Sequence, residues 1–164
     1  MSGANSLNED SFDDLRDLYQ EVILDHGRRP RHMRRLAAFD ATARGDNPMC
    51  GDRIELWLKY APDGAIAEAA FEARGCAISV ASADLMAETV AGRAPADARA
   101  LFAAFREMAK TGDCPACAAS LAEPLERLRP LAGVHEYPSR VKCATLPWHA
   151  LVAALDGGKE ASSE

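Results

Sequence analysis

The sequence predicts an α+β fold: an N-terminal helix, a small three-stranded antiparallel sheet, and a helical C-terminal half packed on that sheet. Three observations support this prediction. Apolar residues recur at helical spacing near the N-terminus, alternate with polar residues in the middle, and return to helical spacing afterwards. The 164 residues, 48% of them hydrophobic, suit one ordinary core, so we expect a single domain over 1–164.

The first helix is predicted over Ser11–Asp25, with Ser11 as its N-cap and Gly27 at its C-terminal end. A basic loop with five arginines, Arg28–Arg35, follows. It is either a solvated loop or an electrostatic docking patch for an acidic partner surface. The apolar stripe of this helix consists of Phe12, Leu15, Leu18, Tyr19, Val22 and Ile23.

Three short strands are predicted next, over Phe39–Arg44, Ile54–Tyr60 and Ala65–Arg74. The second alternates strictly, which places Trp57 with the polar residues on the exposed face. Pro62-Asp63-Gly64 is a strong turn sequence between the last two strands, so the three form a meander.

The remainder is predicted to be helical. One helix covers Ser79–Ala91, and Pro95 begins another whose buried stripe includes Phe105. After a break at Gly112–Cys117, the last helix covers Ser139–Leu155. Pro147 within that helix leaves the carbonyl of Cys143 without its usual donor, which predicts a kink or a helix boundary just after Cys143. Residues 1–10 and 159–164 are expected to be disordered tails.

Composition limits the classes of function. A net charge of −6 argues against a general nucleic-acid binder, whose surface would be basic. No apolar stretch approaches the roughly 20 residues that span a bilayer, and the polar N-terminus resembles no signal peptide. The cytoplasm is therefore the expected compartment. Five cysteines in a reducing compartment point to thiol or metal chemistry rather than to a disulfide framework.

Three cysteines and one aspartate are predicted at backbone turns: Cys50, Asp52, Cys76 and Cys143. Three thiolates and a carboxylate suit tetrahedral zinc, and Arg140 and Lys142 beside Cys143 offer the positive charge that such a site needs. The long spacings between the cysteines contain no short metal-binding knuckle. On residue types alone, the alternative that each cysteine is a small buried hydrophobic residue stays open.

Three segments together resemble the cysteine motifs of the IscU/SufU (NifU N-terminal-like) family of iron–sulfur cluster assembly proteins. They are N-P-M-C-G-D at 47–52, G-C-A-I-S-V-A-S at 75–82 and R-V-K-C-A-T-L-P-W at 140–148. The early Y-Q-E-V-I-L-D-H at 19–26 is similar to that family's first helix. The resemblance covers about Leu15–Leu155 and implies the family's α+β fold and a metal site at Cys50, Asp52, Cys76 and Cys143.

Within the family, the chain is similar to the SufU branch. Lys142 precedes the third cysteine where IscU scaffolds carry histidine, the segment before it contains an extension over 93–135, and the chaperone motif of the scaffolds is missing. This resemblance implies a zinc sulfurtransferase that accepts persulfide sulfur from a SufS-type cysteine desulfurase and supplies a SufBCD-type cluster scaffold. A desulfurase histidine would take over the zinc and free Cys50 as the persulfide acceptor.

Two other functions remain open at this stage. The four residues can instead hold a transient iron–sulfur cluster, as on a scaffold, or zinc can shape a docking surface of a desulfurase activator that is not an enzyme. Cys114 and Cys117 are either incidental thiols in a surface turn or accessory thiols with a sulfur-relay, second-metal or reversible-disulfide role. The histidines are interpreted as surface or packing residues, with His149 the one that can pack near the site.

Overall fold

The computed structural model describes residues 19–49, 51–115 and 117–162. The predicted tail 1–10 and most of the first predicted helix lie outside these residues. The described part of that helix, α1, covers residues 19–28. The later elements are β1 (Ala41–Asn47), β2 (Asp52–Tyr60), β3 (Ile66–Arg74), α2 (Ala77–Val90), α3 (Pro95–Thr111), α4 (Ala122–Leu128), α5 (Pro138–Leu155) and β4 (Glu160–Ser162), with 3-10 helices at Ala119–Leu121 and Arg129–Glu136.

The α+β class is confirmed, and the sheet has one strand more than predicted. Its order is β3-β2-β1-β4, with β1, β2 and β3 antiparallel and β4 parallel to β1. Glu160–Ser162, which belong to the predicted disordered tail, pair with Arg44–Asp46. The backbone N–H of Arg44 donates to the carbonyl of Lys159 at 2.8 Å. The edge of β1 offers these polar residues backbone partners, which side-chain patterns do not reveal.

Trp57 is buried, against the prediction that it lies on an exposed face. It is 1% exposed and forms a second apolar cluster with Leu36 and Ala70 on the outer face of the sheet. The guanidinium of Arg35 lies 5.3 Å from the centre of the Trp57 ring. The loop after α1 thus covers part of the sheet face that alternation alone assigns to solvent.

One helix end differs from the prediction, and one predicted helix boundary is absent. Gly27 lies inside α1, where a Cβ atom would meet Ala77 Cβ at 3.0 Å, so this glycine allows α1 to approach the start of α2. Helix α5 ends at Leu155, as predicted, and continues through Pro147, so the helix boundary that was one of two alternatives after Cys143 is absent. Ser82 Oγ donates to the carbonyl of Ala144 at 2.5 Å, so α2 holds α5 in place near the proline.

The extension packs as predicted by its apolar stripe. Leu101, Phe105 and Met108 of α3 are buried, and the Phe105 ring stacks on Trp148 of α5 at 5.0 Å between centroids. The left-handed Gly112 ends α3 at the predicted break. Among the described helices, none is long and apolar enough to cross a membrane.

Candidate metal centre

Three of the four predicted ligands come together where the sheet meets helices α2 and α5. Asp52 begins β2, Cys76 precedes α2, and Cys143 lies in the second turn of α5. One ligand atom from each lies within 4.8 Å of the others. Residues separated by 24 and 67 positions along the chain therefore meet at one point through the fold.

Asp52 holds the entry to α2. Its carboxylate is 1% exposed, and Asp52 Oδ1 accepts the backbone N–H of Cys76 at 2.9 Å. The Cys76 thiol donates to Asp52 Oδ2 at 3.8 Å. Gly75 lies directly beside this carboxylate with φ +149°, and a Cβ atom there would approach Asp52 Cγ to 2.7 Å. A side chain at position 75 is therefore incompatible with this arrangement.

Cys76 is the N-cap residue of α2, with extended backbone angles, and its side chain is half-buried. The first turn of α2 contains no acidic residue. Cys76 therefore lies at the N-terminal end of α2, where the first backbone N–H groups have no acceptor within the helix. This agrees with the strand-to-helix junction predicted for Cys76.

Cys143 is the most enclosed of the three. It is 1% exposed, and its thiol donates to the carbonyl of Ser139 at 3.6 Å. Burial raises the pKa of the Cys143 thiol, and its hydrogen bond with Asp52 and the nearby Cys76 raise the pKa further. In the absence of a metal ion, the thiol is therefore kept protonated.

Arg140 brings positive charge to the thiols. A hydrogen bond with Cys143 raises the pKa of the Arg140 guanidinium, and the charge of Cys76 acts in the same direction. Lys142 differs, since its exposed side chain lines a separate cavity between α3 and α5. Of these two cations, Arg140 is therefore the one placed to offset the negative charge of deprotonated thiols.

The donor set fits a tetrahedral metal ion. With metal–sulfur bonds of about 2.3 Å, ligand atoms of such a site lie roughly 3.5–3.8 Å apart. The separation of 3.8 Å between Cys76 Sγ and Asp52 Oδ2 falls in this range, and small shifts bring the third atom into it. Two sulfurs and one oxygen suit zinc or iron, and three protein ligands leave a fourth position.

Cys50, the remaining predicted ligand, lies outside the described residues. Its neighbours are described: the backbone N–H of Gly51 donates to the carbonyl of Asn47 at 2.9 Å, and Gly51 has φ +75°. Only glycine adopts this left-handed conformation readily. The conformation is the one needed if Gly51 turns the chain between Cys50 and Asp52, as predicted. Asn47 and Asp52 pair directly across the β1–β2 hairpin.

The other predicted residues lie elsewhere. Cys114 and Cys117 form a disulfide, half-buried at the turn after α3. His149 contacts the ring of Phe102 at 5.0 Å and lines the cavity that also contains Lys142. Burial lowers the pKa of His149, as do the charges of Arg106 and Lys110.

A buried carboxylate that sequence reasoning missed anchors the N-terminal part of the chain. Asp84 of α2 is fully buried and accepts hydrogen bonds from His26 Nδ1 at 2.5 Å and from the backbone N–H groups of Arg31 and His32, each at 2.8 Å. The sequence does not single out Asp84, because α2 contains a second acidic residue, the exposed Glu88.

The burial of Cys143 leads to a prediction for the metal-free protein. Since its raised pKa keeps Cys143 protonated at pH 8, the thiolate needed for alkylation is scarce and the side chain is shielded. We expect iodoacetamide to modify Cys143 at least tenfold more slowly than Cys76, which is half-buried. Peptide mass spectrometry of chelator-treated protein measures both rates, and equal rates in the folded protein would contradict the burial of Cys143.

The sequence of this chain is similar to those of known iron–sulfur cluster assembly proteins. The family model described as NifU-like N terminal domain matches residues 18–144. The iron–sulfur cluster assembly scaffold protein IscU of Streptococcus pyogenes serotype M1 is 39% identical over 141 residues, covering 86% of this chain and 84% of IscU. The zinc-dependent sulfurtransferase SufU of Bacillus subtilis is 37% identical over 148 residues, covering 88% of this chain and 95% of SufU.

A solved structure shows the same architecture. It belongs to a protein described as a putative iron–sulfur cluster assembly scaffold for the SUF system of Fervidobacterium islandicum AW-1. The two structures superpose with a TM-score of 0.72 and 29% sequence identity, covering 82% of this chain and 94% of the other. Relatives of both names, IscU and SufU, therefore match this chain at similar identity.

Proposed function

Since the chain belongs to the NifU-like N terminal domain family, which includes the IscU and SufU proteins of iron–sulfur cluster assembly, we propose that it is a zinc-dependent sulfurtransferase. Its sulfur donor is a SufS-type cysteine desulfurase, and its product serves a SufBCD-type cluster scaffold. The convergence of Asp52, Cys76 and Cys143 within 4.8 Å is the observation that supports this proposal most directly.

Cys50, Asp52, Cys76 and Cys143 hold the zinc ion in this proposal. Cys50 is two residues from Asp52, so the two Cα atoms are at most about 7.6 Å apart. When bound, zinc keeps its cysteine ligands deprotonated at neutral pH. Arg140 offsets the excess negative charge of three thiolates and a carboxylate. Asp52 fixes the position of Cys76 by accepting the backbone N–H of Cys76.

Transfer consists of one thiol–persulfide exchange. The Cys50 thiolate attacks the terminal sulfur of the desulfurase persulfide, an S–S bond forms on Cys50, and the S–S bond on the desulfurase breaks. The desulfurase cysteine leaves as a thiolate, so neither an oxidant nor a reductant is consumed. We assign the acceptor role to Cys50 rather than to Cys143, because Cys143 is buried within α5.

The docking surface for the desulfurase borders α1. Among the arginines of the basic loop, Arg31 pairs with Asp25, Arg34 pairs with Glu68, and Arg35 lies over Trp57. These three serve the fold, whereas Arg28 and Arg29 form no ion pair with the described part of the chain. Both follow Gly27, which packs on Ala77 beside Cys76, so their charge is available near the metal centre to an acidic partner surface.

The scaffold function is the second candidate, because IscU of Streptococcus pyogenes is as similar as SufU and the same donors suit iron. Metal analysis separates the two. We expect protein purified without added metal to contain close to one zinc per chain and no iron. Anaerobic loading with iron and sulfide that yields a stable, chromophoric cluster transferable to an apo-protein would instead support the scaffold function.

The acceptor is tested by mass spectrometry after incubation with a cysteine desulfurase and cysteine. We expect an adduct of about 32 Da, the mass of one sulfur atom, on the peptide that contains Cys50. Cys50→Ala should abolish the adduct and desulfurase stimulation. The double variant Cys114→Ala/Cys117→Ala, which removes the half-buried disulfide, should retain both. An adduct that persists in Cys50→Ala and disappears in the double variant would overturn the acceptor role of Cys50.

A further inference from the structure

A cavity of about 320 Å³ lies between α3, the 3-10 helix Arg129–Glu136 and α5. It is separate from the metal centre, since none of Asp52, Cys76 and Cys143 lines it. Its volume is at the lower end of the range of small-molecule sites in proteins. The lining residues are Arg106, Lys110, His135, Pro138, Val141, Lys142, Thr145 and His149.

Cations dominate this cavity. Arg106 and Lys110 reach it from α3, and Lys142 reaches it from α5. Within the described part of the chain, the lining contains no aspartate or glutamate, although the whole chain has a net charge of −6. Among the described residues, none of the three cations has a partner in an ion pair, whereas many other arginines do. Three uncompensated cations around one concavity favour an anion there.

The cavity also has an apolar part, and the imidazole ring of His149 forms part of its lining. Val141 and Pro138 contribute aliphatic surface, and Thr145 lies one turn further along α5. His149 is held by its contact with Phe102. Burial lowers the pKa of His149, and Arg106 and Lys110 lower it further, so the positive field of these two side chains reaches the interior of the cavity.

We propose that this cavity binds a small organic anion, with a phosphate or carboxylate group among Arg106, Lys110 and Lys142 and an apolar body against Val141 and Pro138. The three cations supply the attraction, and the aliphatic surface of Val141 and Pro138 supplies the preference for an organic ligand over an inorganic ion. This function is additional to sulfur transfer and does not depend on it.

The site gives the extension a role. Arg106, Lys110 and His135 all belong to the extension 93–135, and the remaining lining residues belong to α5. Lys142 is the neighbour of Cys143 in the chain, within the same turn of α5. An anion held by Lys142 therefore adjoins the turn of α5 that bears a metal ligand, without contacting the metal.

The test uses the full chain in its purified, metal-loaded form and phenyl phosphate as the probe. We expect saturable binding by two-dimensional ¹H–¹⁵N NMR, with the largest shifts at Val141, Thr145 and His149. Benzoate, which carries a carboxylate on the same ring, tests the alternative anionic group, and benzyl alcohol is the uncharged control. Inorganic phosphate, which has no apolar body, should bind at least tenfold more weakly than phenyl phosphate.

Charge reversal supplies the matched variants. Lys110→Glu should weaken phenyl phosphate binding about tenfold or more, because it replaces attraction by repulsion at the rim. Lys59→Glu makes the same change on an exposed strand position away from the cavity and should leave the affinity within about twofold. Both side chains are exposed, so both variants are expected to fold, and Lys110→Gln provides an intermediate step.

Three results would overturn the proposal. They are no saturable binding of either phenyl phosphate or benzoate, equal loss of affinity in Lys110→Glu and Lys59→Glu, and equal affinity for phenyl and inorganic phosphate. Because no desulfurase or persulfide is present, each of these results leaves the sulfurtransferase proposal unaffected. Likewise, absence of a persulfide adduct in the mass spectrometry experiment leaves the anion-binding proposal unaffected.

Discussion

Replacing Gly75 with alanine should remove most of the metal affinity while the rest of the fold survives. A Cβ atom at this position would lie 2.7 Å from Asp52 Cγ and 3.1 Å from Asp52 Cα, closer than unbonded carbons approach. Asp52 cannot move away easily, since its carboxylate is 1% exposed and accepts the backbone N–H of Cys76. The substitution therefore separates two predicted ligands and also forces an L residue to φ +149°.

The matched control is Gly64→Ala. Gly64 also has positive φ, at +89°, but a Cβ atom there would have no described neighbour within 4 Å, so this variant measures backbone strain alone. We expect Gly64→Ala to lower stability by about 1 kcal/mol and to bind zinc normally. Gly75→Ala should lose affinity by roughly 10–100-fold, the size of effect that follows when a supporting contact of a metal ligand is lost.

Competition with a chromophoric zinc chelator gives the affinities, and circular dichroism shows whether each variant retains its helices. Comparing the two variants separates the effect of backbone strain from the effect of the steric contact with Asp52. Equal zinc affinity in Gly75→Ala and Gly64→Ala would show that Asp52 and its contact with Gly75 do not hold the metal. Loss of the helical signal in Gly75→Ala alone would show instead that the contact supports the fold.

Local sequence signals predicted most of the helices and strands correctly, because each signal depends only on residues that are close together in the chain. The alternation in β2, the turn at Pro62–Gly64 and the proline that begins α3 all act within a few positions. The junction that makes Cys76 an N-cap is local in the same sense. Family motifs, rather than spacing, connected Cys76 with Cys143, since the long segment between them contains no geometric information about their distance.

The misjudged positions depend on contacts between distant segments. Alternation shows that Trp57 faces away from Leu56, but not that Leu36 and Ala70 cover it. Gly27 resembles a helix end, and only the approach of Ala77 shows why glycine is needed inside α1. Asp84 looks like an ordinary helix residue until α1 and its loop surround it. Each of these features arises from tertiary packing, which overrides local preference.

Removing the carboxylate of Asp84 should produce a large loss of stability at a position away from the metal centre. The fully buried carboxylate accepts the N–H groups of Arg31 and His32 at 2.8 Å and binds His26 at 2.5 Å. In Asp84→Ala these donors lose their acceptor, and part of the segment must open to water to satisfy them. We expect the free energy of unfolding to fall by about 2–4 kcal/mol.

Asp63→Ala serves as the control, because Asp63 Oδ1 also accepts a backbone N–H, that of Ala65 at 3.0 Å, but in an exposed turn. Water replaces that acceptor, so the loss should be about 0.5 kcal/mol. Urea denaturation measures both values, and hydrogen exchange locates the change: residues 26–33 should exchange faster in Asp84→Ala, while α5 remains protected.

The position of the faster hydrogen exchange in Asp84→Ala also bears on function. Gly27 packs on Ala77 next to Cys76, so a loosened α1 removes one wall beside the metal centre and displaces Arg28 and Arg29, the two cations that we assign to desulfurase docking. Asp84→Ala should therefore weaken desulfurase binding at a temperature where the domain is still folded and metal-loaded. Equal stability of Asp84→Ala and Asp63→Ala, or unchanged exchange at 26–33, would show that Asp84 does not anchor the N-terminal segment.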